Sequence, residues 1–190
     1  MELGWRHVVL TSVTRDDLPD GGAAHFAASV KALREISPSV TIELLVPDFA
    51  GDIEALRAVV DAAPDILAHN IETVPSLYPA VRSGAVYTRS LELIRRTALM
   101  RPDLPLKSGI MVGLGETQEE VVGVFRDLYD AGCRLLTVGQ YLPPSKKHFP
   151  LAEYLPPERF EEYAAMAREI GFAEIRSGPL VRSSYKPEQG

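Results

Sequence analysis

The sequence predicts an α/β fold built from a parallel sheet and helices. Short apolar stretches rich in β-branched residues alternate with longer stretches that carry apolar residues at helical spacing, which is the pattern of successive βα units. A chain of 190 residues, 46% of them hydrophobic, is long enough for one sizeable core and too short for two ordinary domains. We therefore expect a single domain over 1–190, with a C-terminal tail over 177–190.

The N-terminal half is predicted to hold three strands, each followed by helical sequence. Each strand is short and apolar, and the second is stopped by Pro47. Each helix is a stretch whose apolar residues recur every three or four positions. These strands are expected at 7–13, 41–46 and 66–68, and the helices at 22–36, 52–62, 76–81 and 88–99.

The C-terminal half continues the alternation and adds two helix-start signals. Thr117 is suited to cap a helix, because Glu120 three residues later completes the capping-box pattern. Pro157 suits the first turn of the last helix. Strands are expected at 106–112, 134–138 and 172–175, and helices at 117–129 and 157–170.

Composition and charge exclude several classes of function. A net charge of −6 and a pI near 5.3 argue against a nucleic-acid-binding face, which needs a basic surface. No run approaches the roughly 18 apolar residues of a membrane span. The N-terminus shows no signal peptide, and a single cysteine leaves no internal disulfide framework, so we expect a cytoplasmic protein.

Polar residues follow the predicted strands where each strand ends. In a βα series these carboxyl ends share one rim, where active sites gather. We regard this polar rim as the strongest sign of a binding site. It would carry Thr11, Ser12, Pro47, Asp48, 69–73, 113–116, Gln140 and Tyr141.

Two rim motifs each allow a functional and a structural interpretation. Asn70 and Glu72 lie two residues apart, hence on one side of an extended segment, where they could bind ribose hydroxyls or an amino-acid group. The same segment could be a loop with an Asx turn, and a metal site from His69 and Glu72 would have too few ligands. The stretch 111–117 (MVGLGET) could bring backbone close to a ligand or form a simple βα turn.

Three further features are predicted from their residues alone. Asp16, Asp17 and Asp20 fit a turn and a helix N-terminus, while divalent-metal binding would need further oxygen ligands. Cys133 precedes an apolar strand and is expected to be a buried small hydrophobe. In the tail, the hydroxyls within 182–185 (RSSY) could cap a turn or, when deprotonated, bind iron, and the turn role is favoured.

Ordered sequence blocks across 3–188 resemble the lipoyl synthase family of radical S-adenosylmethionine enzymes. The matching blocks are VLTSVTRDDLPDGGA, IELLVPDF, HNIETV, YTRSL, KSGIMVGLGET, TVGQYLPPS and GPLVRSSY. The resemblance implies a partial (β/α)6 radical-SAM barrel that lacks its first βα unit. It also implies insertion of two sulfurs into a protein-bound octanoyl-lysine.

The same resemblance implies cofactors and partners. S-adenosylmethionine would be cleaved by one [4Fe–4S] cluster to a 5′-deoxyadenosyl radical, and a second [4Fe–4S] cluster would donate sulfur. The partners would be an octanoylated lipoyl-carrier domain, of the E2 or glycine-cleavage H protein type, and an electron donor such as ferredoxin or flavodoxin. No nucleic-acid or membrane partner is implied.

The resemblance also assigns residues to the site. Thr11, Ser12 and Asp17 would line the methionine side of the cofactor, and Asn70 and Glu72 its methionine and ribose region. The adenine would be flanked by Gly113, Gly115 and Glu116, and the site closed by Gln140, Tyr141 and Leu142. Arg89 and Lys107 would contact a carboxylate, and Ser184 would be the serine ligand of the auxiliary cluster. The tail departs from the family after this serine, with Tyr185-Lys186-Pro187 in place of Tyr-His-Ala.

A larger departure is the supply of thiolates. The family holds its clusters with Cys-x4-Cys-x5-Cys and Cys-x3-Cys-x2-Cys motifs upstream of the matching region, whereas this chain has only Cys133. We expect a fragment, a split gene product or a misplaced start, and a chain that alone does not form lipoyl groups. An opened barrel edge would also favour self-association.

Three functions remain open at this point. The first is part of a lipoyl synthase that works only with cysteines from another segment. The second is a non-catalytic module that binds S-adenosylmethionine or a lipoyl domain. The third is an unrelated barrel aldolase or isomerase with Lys107 as a Schiff-base lysine.

Overall fold

The structure is a computed structural model that describes residues 5–184, and it confirms the predicted α/β class. Six parallel strands form one sheet in sequence order, so all their carboxyl ends lie at the same end of the sheet. The strands are β1 (His7–Thr11), β2 (Thr41–Leu45), β3 (Ile66–Ala68), β4 (Leu106–Val112), β5 (Leu135–Gln140) and β6 (Glu174–Gly178).

Six α-helices connect the strands, and all except the short third helix pack on one another in succession. They are α1 (Ala23–Ile36), α2 (Ile53–Asp61), α3 (Tyr78–Val81), α4 (Tyr87–Met100), α5 (Gln118–Asp130) and α6 (Pro157–Ile170), with short 3-10 turns at Phe49–Gly51 and Pro75–Leu77. Within residues 5–184, no helix is long and apolar enough to cross a membrane.

The strand boundaries differ from prediction at the two edges of the sheet. β1 ends at Thr11 because its partner β2 ends at the paired residue Leu45. β6 begins later than predicted, since Phe172 is buried in the core and precedes the strand. Ser177 and Gly178, which were expected to lie in the tail, instead pair with β5.

The two faces of the sheet have different chemistry because side chains alternate along each strand. In β2, Ile42 and Leu44 join the hydrophobic core, whereas the intervening Glu43 does not. In β5, Leu136 and Val138 join the same core. The opposite face carries glycines, hydroxyls and charged residues, and it leads to the polar rim.

The predicted helix-start signals are present. Thr117 accepts from the backbone N–H of Glu120, and the Glu120 carboxylate accepts from the Thr117 N–H, so the capping box is complete. Asp20 accepts from the N–H groups of Gly22 and Ala24 at the start of α1. These two hydrogen bonds confirm the turn interpretation of this aspartate, and they lower its pKa.

β1 is an open edge strand, which makes self-association testable. Among residues 5–184 it pairs only with β2, and Val8 and Leu10 are only partly buried. Free backbone groups on such an edge can pair with another chain. We expect size-exclusion chromatography with light scattering to show a mass that rises with protein concentration. A monomer at every concentration, with one cooperative melting transition, would contradict this expectation.

Candidate active site

Two connected cavities open at the carboxyl ends of the strands. The wide cavity, about 570 Å³, lies over β1 to β3, and the slot, about 190 Å³, lies over β4 and β5. Asn70 and Glu72 line both cavities and form the junction between them. The predicted rim residues Thr11 and Ser12 line the wide cavity, and the rim residue Gln140 lines the slot. Two residues assigned to the site by the resemblance also line the cavities: Arg89 the wide cavity and Leu142 the slot.

Glu72 is held at the junction in an unusual backbone conformation. Its φ of 67° lies in the left-handed region, which is uncommon for residues other than glycine. The neighbouring strand fixes it there, because the Glu72 N–H donates to the Gly109 carbonyl (3.0 Å) and its carbonyl accepts from the Met111 N–H (2.8 Å). Burial raises the pKa of the Glu72 carboxyl, and the hydrogen bond from Asn70 and the charge of Arg82 lower it in part.

Asn70 presents a buried acceptor that lacks a donor. Its Nδ2 donates to Glu72 Oε1 (3.1 Å), while its Oδ1 is buried and without a hydrogen-bond partner among the described residues. Buried polar atoms are nearly always hydrogen-bonded, so an unpaired one at a cavity junction suits a ligand donor. The Arg82 guanidinium donates to the Asn70 carbonyl (3.3 Å) and also lines the wide cavity.

His69 is a structural residue and not a metal ligand. Its Nδ1 lies 2.9 Å from the Val46 carbonyl, which can only accept, so Nδ1 carries the hydrogen. Its Nε2 then accepts from the Ser90 hydroxyl at 2.8 Å, and both ring nitrogens are used. Burial lowers the pKa of His69, which favours this neutral form.

The structure separates Arg89 from Asp17, two charged residues that the resemblance assigns to the site. Arg89 donates to Asp48 (2.6 Å) in the wall of the wide cavity, so the carboxylate it contacts in this structure belongs to the protein. Asp17 is exposed and forms a two-point ion pair with Arg15 outside both cavities. Asp16, its neighbour, lines the wide cavity instead.

The turn after β4 uses its polar groups to hold its own shape. The Glu116 carboxylate accepts from the N–H groups of Gly113 (2.6 Å) and Leu114 (2.9 Å). Gly113 has φ +98°, and a Cβ there would clash with the Gln140 side chain and the Glu153 carbonyl. Gly113 and Glu116 therefore shape the rim from behind and line neither cavity.

Gln140 ties the long segment after β5 to the sheet. Its Nε2 donates to the carbonyls of Val112, Tyr141 and Glu153, and its Oε1 accepts from the Leu155 N–H (3.0 Å). The Tyr141 hydroxyl donates to the Phe149 carbonyl in the same segment (2.8 Å). Leu142, by contrast, is 44% exposed at the slot and available to a ligand.

Lys107 does not lie at the rim. It is the second residue of β4. It lines a small cavity together with Leu135 and Glu174, the first residues of β5 and β6. Its ammonium group contacts Glu43 at 2.7 Å, and His7 contacts the other carboxylate oxygen at 3.2 Å. A Schiff-base lysine needs a neutral amine open to substrate, so this ion pair also disfavours the aldolase hypothesis.

The beginning of the C-terminal tail forms part of the slot. Val181, Arg182 and Ser183 line it, and Ser184 is the last described residue and is exposed. Tyr185, the end of the predicted Arg-Ser-Ser-Tyr motif, lies outside the described residues.

The cavities fit S-adenosylmethionine, and the donor set does not fit an iron–sulfur cluster. Among residues 5–184, the junction offers an unpaired amide oxygen and a carboxylate for hydroxyl or ammonium donors, and Gly109 and Gly139 line the slot beside it. In contrast, Cys133 has no exposed surface, and burial raises the pKa of its thiol to about 12. Across residues 5–184, no three His, Cys, Asp or Glu side chains are grouped to hold a metal ion.

Sequence reasoning missed two kinds of residue at this site. Arg82 follows a four-residue helix, and no motif or spacing marks it. Gly109 and Gly139 lie within strands, where an isolated glycine often marks the close approach of a ligand or of another backbone. That signal could have identified them as residues that line the slot.

The sequence comparisons agree with the resemblance described above. Residues 1–128 match the family model of the radical SAM superfamily. A lipoyl synthase of Caldanaerobacter subterraneus is 56% identical over 99% of this chain and 66% of its own length. Those of Geobacter metallireducens and Rubrobacter xylanophilus are 56% and 53% identical, over 96% and 97% of this chain and 64% and 57% of their own lengths. The chain thus spans just under two thirds of most of these relatives.

Solved structures show the same fold at low identity. A domain of pyruvate-formate lyase-activating enzyme from Bacteroides vulgatus aligns with a TM-score of 0.60 and 13% identity, covering 87% of this chain and 97% of that one. Methylornithine synthase aligns with a TM-score of 0.63 and 15% identity, covering all of this chain and 64% of the other. At these identities the likeness concerns the fold alone.

Proposed function

This chain belongs to the radical SAM superfamily, and from that premise we propose that it is the cofactor-binding part of a lipoyl synthase. The observation that carries the proposal is the junction of the two cavities, where Asn70 and Glu72 meet and where the buried Asn70 Oδ1 has no hydrogen-bond partner within residues 5–184. Its similarity to lipoyl synthases over 96–99% of its length supports the choice of reaction. The proposed setting is cytoplasmic.

The cofactor in this proposal is S-adenosylmethionine. When bound and reduced, it supplies the carbon radical that removes hydrogens from an octanoyl chain on a lipoyl-carrier domain. The finer partner assignments, an E2 or H-protein domain as substrate and ferredoxin or flavodoxin as electron donor, belong to the same proposal.

The residues of the two cavities would divide the work of holding this cofactor. The wide cavity, with Arg82 and Asp16 in its wall, offers charges of both signs to the carboxylate and ammonium of the methionine part. Asn70 and Glu72 would accept from ribose hydroxyls at the junction. The slot, which is lined by Gly109, Gly139 and Leu142, would take the planar adenine.

The clusters would depend on ligands beyond these 190 residues. A cubane cluster is normally held by several thiolates, and the chain contains one cysteine, which is buried. Ser184, exposed next to the slot-lining Ser183, is the one residue here that we propose as a cluster ligand.

Glu72→Gln tests the cofactor site by calorimetry with S-adenosylhomocysteine. The substitution keeps the size of the side chain and removes the charge that accepts from the ligand. Hydrogen bonds to charged groups contribute about 1.5–3 kcal/mol, so we expect the dissociation constant to rise roughly 10-fold to 100-fold.

The matched control is Glu120→Gln, which changes an equally sized carboxylate in the capping box of α5, away from both cavities. It should leave the dissociation constant unchanged. Equal affinity of the wild-type chain and Glu72→Gln would remove the basis of the proposed function.

A further inference from the structure

The tail crosses the end of the sheet over two glycines. Gly139 of β5 and Gly178 of β6 are paired in register, so the two backbones lie side by side without side chains between them and the tail. The Val181 N–H donates to the Gly178 carbonyl (3.1 Å), which closes a turn. This turn carries the chain back over the end of β5 and toward the slot.

The tail occupies the position that a side chain at residue 139 would need. A Cβ at this position would clash with the carbonyl oxygen of Val181 and lie 3.5 Å from the Arg182 guanidinium. A Cβ at Gly178 would lie 3.4 Å from a Val181 methyl carbon, which is ordinary contact. The requirement for glycine is therefore strict at 139, where the obstacle is backbone, and mild at 178.

The clash at 139 would displace the tail and not the strand. β5 is hydrogen-bonded to β4 on one side and β6 on the other, and its residues Leu136 and Val138 are buried in the core. Among residues 5–184, the backbone of Val181 is tied by one hydrogen bond, and the Arg182 side chain donates to the neighbouring carbonyl of Val181. The weaker attachment gives way first.

We propose that Gly139 is a positioning residue that seats the tail as the wall of the slot. With the tail seated, Val181, Arg182 and Ser183 line the slot that also contains Asn70 and Glu72, and Ser184 follows directly. The identity of the occupant, the adenosyl part of the cofactor, rests on the proposed function. The position of the tail over Gly139 does not depend on the proposed function.

The first experiment measures seating without any ligand. Trypsin can cleave after Arg182 only when the tail has moved away from Gly139. The cleavage rate therefore reports the fraction of molecules in which the tail is displaced. We expect Gly139→Ala to raise this rate at least 10-fold over the wild-type chain. Gly123→Ala is the matched control, because Gly123 lies in α5 with open space around its Cβ position, and its rate should equal the wild-type rate.

Val181→Pro gives the rate expected for a released tail, since proline removes the N–H that donates to Gly178. Equal cleavage of wild type and Gly139→Ala would overturn the proposal. So would a fall of more than about 10 °C in the melting temperature of Gly139→Ala, because the sheet would then have absorbed the clash.

The second experiment asks whether the seated tail is the wall of an occupied slot. Saturating S-adenosylhomocysteine should slow cleavage after Arg182 in the wild-type chain and have no effect in Gly139→Ala. A structural role alone would not produce this ligand-dependent difference. If calorimetry shows binding but the ligand protects neither protein, the wall role is overturned. If nothing binds, the proposed function fails, and the ligand-free cleavage rates still decide the seating.

Discussion

The 190-residue chain, supplied with iron, sulfide, reductant, S-adenosylmethionine and an octanoylated carrier domain, is expected to form no lipoyl product. The physical reason is ligand supply. The only thiol, Cys133, has no exposed surface, and its pKa is raised to about 12. The thiolate is the form that binds iron, and it is almost absent at neutral pH when the pKa is so high.

The control adds the missing ligands. The cysteine-bearing region implied by the lipoyl synthase resemblance, taken from the Caldanaerobacter subterraneus relative, would be fused ahead of this chain, and mass spectrometry would follow the carrier domain. We expect lipoyl product only from the fusion, and the same yield when it carries Cys133→Ser. Repeated turnover by the unfused chain would contradict the ligand account.

Lys107→Met is expected to destabilise the fold by about 3–5 kcal/mol, which corresponds to a fall of roughly 10 °C in melting temperature. The substitution removes the ammonium group 2.7 Å from Glu43, a carboxylate whose side chain is only 3% exposed. His7 remains as a partner at 3.2 Å. A buried charge that has lost its closest partner is costly, because burial removes the water that would otherwise solvate it.

The matched variant for this prediction removes the charge as well. In Glu43→Gln combined with Lys107→Met, no carboxylate is left unpaired, and we expect at least half of the lost stability to return in urea unfolding. If Lys107→Met alone lies within 1 kcal/mol of wild type, or if the double variant is the least stable, the buried pair does not have the role assigned to it.

The sequence predicted the features that depend on local pattern. Strands and helices followed from the spacing of apolar residues, and α6 begins and ends at the predicted residues. Asn70 and Glu72 could be placed together because side chains two apart share one side of an extended segment. The structure places both at the junction of the cavities.

The features that depend on distant contacts were not predictable. Gln140 was correctly placed at the rim, but its partners Glu153 and Leu155 lie far along the next segment, so its clamping role could not be read from the motif. Lys107 was assigned to the cofactor site by resemblance, as a contact to a carboxylate. The structure instead pairs it with Glu43, 64 positions away on another strand and outside both rim cavities. Which residues on neighbouring strands contact each other depends on how the strands pair. A single sequence does not specify that pairing.

The most direct test of a cofactor site at the rim is amide NMR of the 190-residue chain titrated with S-adenosylhomocysteine. We expect the largest shifts at Asn70, Glu72, Gly109 and Gly139, with little change at His7 and Lys107 at the other end of the sheet. Shifts centred on that other end, or no saturable shift at all, would contradict this expectation.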